Sequence, residues 1–217
     1  MPAFSPPVLA RCAYPRLRWK FPPGEKKIYI SFDDGPSPEI TPEILSILDE
    51  WKARATFFCL GQQAEKYPEL LHSIRIAGHS TGNHTYSHPN GFLTSTGAYL
   101  DDIHNASRLI PSNLFRPPYG RIWPWQLTRV RQEFEVIMWT VMSMDYAPHF
   151  TGQDVLRHLV KHTSDGSIIV FHENPRAASK LPGILHEFLR IYTSMDYSFG
   201  AIPDSTQQIY NRSVHKG

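Results

Sequence analysis

The stretch Ile28-Tyr29-Ile30-Ser31-Phe32-Asp33-Asp34-Gly35-Pro36, followed by Thr41-Pro42-Glu43, decides how this chain folds. Its first five residues are mainly β-branched or aromatic and read as a strand. Thr41 offers a helix N-cap, Pro42 suits the first helical position, and Glu43 puts an acid near the positive helix end. Ile44, Leu45, Ile47, Leu48 and Trp51 then form the stripe of an amphipathic helix. A strand joined by a turn to such a helix is the repeating unit of a parallel α/β sheet.

The same alternation continues along the chain. Strands are predicted at 55–60, 80–82, 135–141, 167–171 and 198–202, and 114–116 reads as extended because Pro117 disfavours the helical region for Arg116. Helices are predicted at 68–77, closed by Gly78, and at 96–110, 125–134, 154–162 and 181–192. About seven strand–helix repeats imply a closed parallel barrel, preferred here to an open sheet. No internal repeat or linker interrupts the series. One domain over 26–203 is expected, with an N-terminal extension at 1–25 and a C-terminal tail at 204–217.

Composition narrows the function classes. The 217 residues include 41% hydrophobic and 19% charged residues, enough apolar surface for one sizeable core. A net charge of +2 gives no general attraction to nucleic acid or to an anionic membrane. No apolar run approaches the ~20 residues of a bilayer span. Val8-Leu9-Ala10 is too short for a secretory h-region, so a cytoplasmic location is the default expectation. The two cysteines make no disulfide framework; Cys59, within Thr56-Phe57-Phe58-Cys59-Leu60, reads as a buried thiol.

The chemistry-bearing residues fall at predicted strand ends. Asp33 and Asp34 end the first strand, and Gly35-Pro36 supplies the bend that lets adjacent acids serve different roles. In Gly82-Asn83-His84-Thr85-Tyr86-Ser87-His88 two histidines four apart would share one face of a helical turn, suited to one metal ion with Asp34 as an oxygen ligand. His158 and His162 have the same spacing but lie on an evident amphipathic helix beside Arg157 and Lys161, where a solvated face is expected. Arg116-Pro117-Pro118-Tyr119-Gly120 carries a guanidinium at a strand end and presents the Tyr119 N–H beyond it. Asp145 follows another strand, and His172 ends Ile168-Ile169-Val170-Phe171-His172. Each residue alone has an ordinary structural explanation; their conjunction on the face where a barrel assembles its active site does not.

Taken in order, these motifs resemble those of the polysaccharide deacetylases with the NodB-homology domain, carbohydrate esterase family 4. The resemblance covers nearly the whole chain. It implies a distorted (β/α) barrel holding one divalent metal ion, usually zinc, with cobalt or nickel as alternatives. Carried over by residue, Asp34, His84 and His88 would be the metal ligands, Asp33 the general base, and Arg116 the partner that keeps Asp33 ionised and oriented. His172 would be the general acid, Asp145 would orient it, and the Tyr119 N–H would help hold the oxyanion. The implied reaction removes N-acetyl groups from an N-acetylglucosamine-type polysaccharide or oligosaccharide.

Two motifs depart from the family pattern, at three positions. Met142-Ser143-Met144-Asp145-Tyr146 stands where Asp-x-x-Asp-Trp is usual, and Val170 replaces a leucine. Tyr146 and Val170 are therefore expected at the acetyl pocket, and Trp123 is a candidate for stacking on sugar, although Trp123 and Trp125 could equally be core packing. The departures leave two rival readings open. One is a carbohydrate-binding relative with impaired turnover; the other is an O-acetyl esterase acting on a xylan-like polymer.

Overall fold

A computed structural model describes residues 11, 12 and 14–206. Strand β1 (Lys27–Asp33) lies at its centre. It pairs with β7 (Ile168–His172) over most of its length, with β2 (Thr56–Cys59) near its C-terminal end and with β8 (Ser198–Gly200) near its start. From β2 the sheet runs through β3 (Ser80–Asn83) and β4 (Leu114–Phe115) to β5 (Glu135–Val136). Beyond β7 lies β6 (Val141–Met142). Every one of these pairings is parallel, and the curled sheet is the distorted barrel that the alternation predicted.

The helices are α1 (Thr41–Glu50), α2 (Gly61–Lys66), α3 (Pro68–Ile76), α4 (Thr96–Ser107), α5 (Pro124–Val130), α6 (Gly152–His162), α7 (Pro175–Ala178) and α8 (Leu181–Thr193). Periodicity does not announce α2, whose Gly-Gln-Gln-Ala-Glu-Lys carries no apolar stripe. The predicted strand at 135–141 is divided. Its first residues pair with β4 and its last with β7, and between them Ile137 N–H still donates to Phe115 O. One extended segment thus passes from one end of the sheet to the other and cannot pair regularly along its whole length.

The residues before β1 help at the same place. Arg18 N–H donates to Val136 O at 3.1 Å, Met138 N–H donates to Arg18 O at 2.8 Å, and the Phe21 ring stacks on Tyr29 at 3.9 Å. Much of the stretch read as an N-terminal extension is therefore packed on the barrel.

The alternation of strand side chains separates core from chemistry. On β1, Ile28, Ile30 and Phe32 join the cluster under α1 and α8, with Ile44, Leu48, Leu185 and Phe188. Phe32 stacks between Phe57 and Phe171, at centroid distances of 5.0 and 5.8 Å. Burying one such ring contributes about 1.5–3 kcal/mol. The intervening residues belong to the other face: Tyr29, Ser31 and Asp33 on β1, Phe58 on β2, and Ile168, Val170 and His172 on β7.

Candidate active site

Asp33 and His172 occupy the last rung of the β1–β7 ladder and are direct register partners. Neighbouring parallel strands lie ~4.8 Å apart, so the fold sets the two groups side by side. Beneath Asp33 lies Arg116, which has no solvent exposure. Its Nη1 donates to Asp33 Oδ1 at 2.6 Å and to Ser31 Oγ at 2.8 Å. Nε and Nη2 donate to the carbonyls of Ile137 and Met138, and the guanidinium lies 4.0 Å from the Phe58 ring centre. A buried guanidinium needs this many partners, and it fixes the orientation of the Asp33 side chain.

The chain turns sharply after β1, and Asp34 takes a positive φ of 78°. Asp34 Oδ1 lies 3.7 Å from His84 Nε2 and 3.4 Å from His88 Nε2. All three potential ligand atoms fall within 4.8 Å of one another, the one such group among the described residues. The histidines do not share a helical turn as predicted. They lie in the loop after β3, where Thr85 and His88 have φ of 70° and 61°. Asn83 Oδ1 accepts from Thr85 N–H, and Thr85 Oγ1 accepts from His88 N–H, so side chains rather than helical bonds shape this loop.

The donor chemistry fits a divalent ion. His84 Nδ1 bonds Arg116 O at 2.8 Å; a carbonyl only accepts, so Nδ1 is the donor and Nε2 is the atom turned toward Asp34. Burial and then His84 push the His88 imidazole down to about 4, leaving it neutral at pH 7. Burial pushes the Asp34 carboxyl up, but His172, His84, the Asn174 amide and His88 outweigh it and hold the group below its ordinary value. Two imidazoles and one carboxylate are a common zinc set that leaves a coordination position open.

Asn174, which the sequence reading missed, orients the carboxylate. Its Nδ2 donates to Asp34 Oδ2 at 2.9 Å, while its Oδ1 accepts from Arg176 and Ala177 N–H at the start of α7. The signal available was an Asn one residue before Pro175, a helix N-cap pattern that sets its position but does not reveal its second bond. Asn174→Ala is expected to weaken zinc binding by ~10–100-fold with the fold intact, measured by competition with a chromophoric chelator.

On the opposite side, Asp145 is fully buried. Its Oδ1 accepts from His172 Nδ1 at 2.8 Å and its Oδ2 from His172 N–H at 2.8 Å, fixing ring and backbone together. Burial lowers the His172 pKa, but Asp145, then Asp34 and Asp33, overcome this and raise it to about 9. His172 is an imidazolium at neutral pH, with Nε2 left to give a proton.

Asp33, Asp34, His84, His88 and His172 line one cleft of about 820 Å³. Tyr119, Trp139, Met142, Met144 and Tyr146 form part of its walls. Tyr119 sits in the turn Pro118–Gly120 with a positive φ of 58°, and its N–H donates to no acceptor among the described residues. Gly120 is required beside it: φ is +65°, and a Cβ there would meet Trp139 Cη2 at 2.6 Å. Tyr146 packs edge-on against the His172 ring, at a centroid distance of 4.6 Å.

One expected wall residue lies elsewhere. Val170 is wholly buried one layer below His172, because residues two apart on a strand share a face and only the last reaches the cleft. Trp123 stands outside the cleft, against Phe92, which does line it. The control pair also separates: His158 and His162 rings are 4.6 Å apart on α6, and no third ligand joins them among the described residues. His158 is half-buried rather than fully solvated.

Comparison with known proteins agrees with this geometry. The polysaccharide deacetylase family matches residues 20–136. A peptidoglycan-N-acetylglucosamine deacetylase of Bacillus cereus is 34% identical over 161 residues, which are 71% of this chain and 58% of that protein; the chain thus spans little more than half of that relative's length. A chitooligosaccharide deacetylase of Azorhizobium caulinodans is 33% identical, covering 69% of this chain and 74% of that one. The crystal structure of a peptidoglycan N-acetylglucosamine deacetylase superposes with a TM-score of 0.82 at 30% identity, over 87% of this chain and 91% of that chain. With its motifs gathered at one end of a shared barrel, this chain belongs to the polysaccharide deacetylase family.

Proposed function

We propose that this protein is a metal-dependent hydrolase that removes N-acetyl groups from N-acetylglucosamine-type polysaccharide or oligosaccharide, and that residues 26–203 form the unit carrying the activity. The observation that carries this reading is the placing of a carboxylate, a three-ligand group and a charged imidazolium in one cleft. The names of the relatives, two acting on peptidoglycan or chitooligosaccharide, support the same substrate chemistry.

Asp34, His84 and His88 would hold the ion, zinc by the donor set. Such an ion, when bound, supplies Lewis acidity toward an acyl oxygen and makes water easier to deprotonate. Asp33, oriented by Arg116, takes the proton of the attacking water. The Tyr119 N–H donates to the oxygen that becomes negative as the carbonyl carbon turns tetrahedral. His172 then delivers its Nε2 proton to the departing sugar nitrogen, and Asp145 holds the ring in the tautomer this requires. Met142 lines the cleft wall where the family has an acid, and the His172–Asp145 bond forms without that acid.

Acetate release from an N-acetylglucosamine oligomer tests the proposal. Chelated protein is expected to be inactive and to recover on addition of zinc. No acetate under either condition would overturn the reading, and faster release from O-acetylated xylan would transfer it to an esterase.

A further inference from the structure

The turn that follows β1 is held from two sides. On one, Leu60 N–H donates to Gly35 O at 2.9 Å. On the other stands Glu173, the residue after His172, which is only 2% exposed. Its N–H donates to Asp33 O at 2.7 Å, and its Oε1 accepts from Thr41 Oγ1. Thr41 Oγ1 in turn accepts from Ser37 N–H at 2.8 Å, so one carboxyl ties the end of β7 to Ser37 and to the start of α1.

The Glu173 side chain also lies against the turn itself. A Cβ on Gly35 would meet Glu173 Oε2 at 2.0 Å and Cδ at 2.5 Å, so the glycine is required for close approach. Oε2 has no hydrogen-bond partner among the described residues. A buried carboxyl oxygen without a partner costs stability, and what the side chain contributes is the path of the chain from Asp34 to Ser37. That path is a demanding one. The φ of 78° at Asp34 is disfavoured for a residue with a Cβ and has to be imposed by its surroundings.

We infer that Glu173 is a positioning residue that fixes the turn from Asp34 to Ser37, and through it the distance of the Asp34 carboxylate from His84 and His88. The inference rests on the reading of Asp34, His84 and His88 as the ligands of the ion. Two consecutive residues divide the task. Asn174 holds the Asp34 carboxylate, and Glu173 holds the main chain that carries it.

The test reads zinc affinity of the full chain, by competition with a chromophoric chelator, beside thermal unfolding of the metal-free protein. Glu173→Ala is expected to weaken zinc binding by ~10–100-fold. Glu173→Gln keeps an Oε1 acceptor for Thr41 and retains most of the affinity; Glu173→Asp, one methylene too short, does not. Thr41→Val removes the same bond from its other end, should weaken zinc in the same direction, and serves if Glu173→Ala does not fold. The two changes together are less than additive. Gly35→Ala costs affinity in the wild-type background and less beside Glu173→Ala, where the atoms it would strike are gone. Leu189→Ala, which opens a cavity in the core on α8, lowers the unfolding temperature without moving zinc affinity and so separates placement from general loosening.

Unchanged zinc affinity in both Glu173→Ala and Thr41→Val would overturn the assignment. So would a loss as large in Glu173→Gln as in Glu173→Ala, or an equal loss in Leu189→Ala. Each of these leaves the deacetylase reading in place. Wild-type protein that binds no zinc would remove both.

Discussion

Asp33→Asn protein is expected to keep its zinc and to lose ~10²–10⁴-fold in turnover. The asparagine keeps an oxygen for Arg116 Nη1 but cannot take a proton from water, and Asp33 is not one of the three gathered ligands. The fold should survive, although the uncompensated guanidinium costs stability, because Arg116 retains Ser31 Oγ, two backbone carbonyls and the Phe58 ring. Asp34→Asn is the counterpart: it should lose zinc affinity first and activity as a consequence. Zinc content and acetate release, measured on both variants, check the assignment. If Asp33→Asn loses the zinc while Asp34→Asn keeps it, the two roles are reversed.

The second large effect belongs to His172. His172→Ala should cost ~10²–10⁴-fold on N-acetyl substrates and much less on activated aryl acetates, whose leaving group needs no proton. Asp145→Asn acts through the same ring and should be less than additive with His172→Ala. It also has a pH signature. The protonated imidazole is the active form, so the rate falls as pH rises through its pKa. Burial depresses that pKa, and Asp145 is foremost among the groups that carry it to about 9; a cation bound at Asp34 opposes the rise. Removing the Asp145 charge should therefore shift the basic limb of the pH–rate profile to lower pH. An unmoved limb, or equal losses on amide and activated ester, would refute the role of His172 as the acid.

How much of this was legible in the chain depends on the kind of constraint. β1 and α1 could be read because period, cap and proline all agree locally, and the strand-end position of Asp33, Arg116 and His172 follows from the alternation. The loop carrying His84 and His88 could not, since two positive φ values and bonds from Asn83 and Thr85 replace the helical turn that their spacing suggests. Val170 was misplaced for a geometric reason: a strand residue two positions before a site residue shares its face but not its depth. Asn174 went unseen because its bond to Asp34 spans most of the chain.

The shared rung of Asp33 and His172 bears on how such a protein can change over generations. The proposed base and acid belong to neighbouring central strands, so a one-residue slip in either would turn its group away from the cleft and scatter the aromatic layer beneath α1 and α8. Proton handling is thus inherited as a unit with the core. The rim segments around Phe92 and Trp125 hang from the strand ends and can lengthen, shorten or exchange side chains without disturbing that ladder. Substrate preference is free to diversify along the rim while the reaction itself is conserved by the hydrophobic interior.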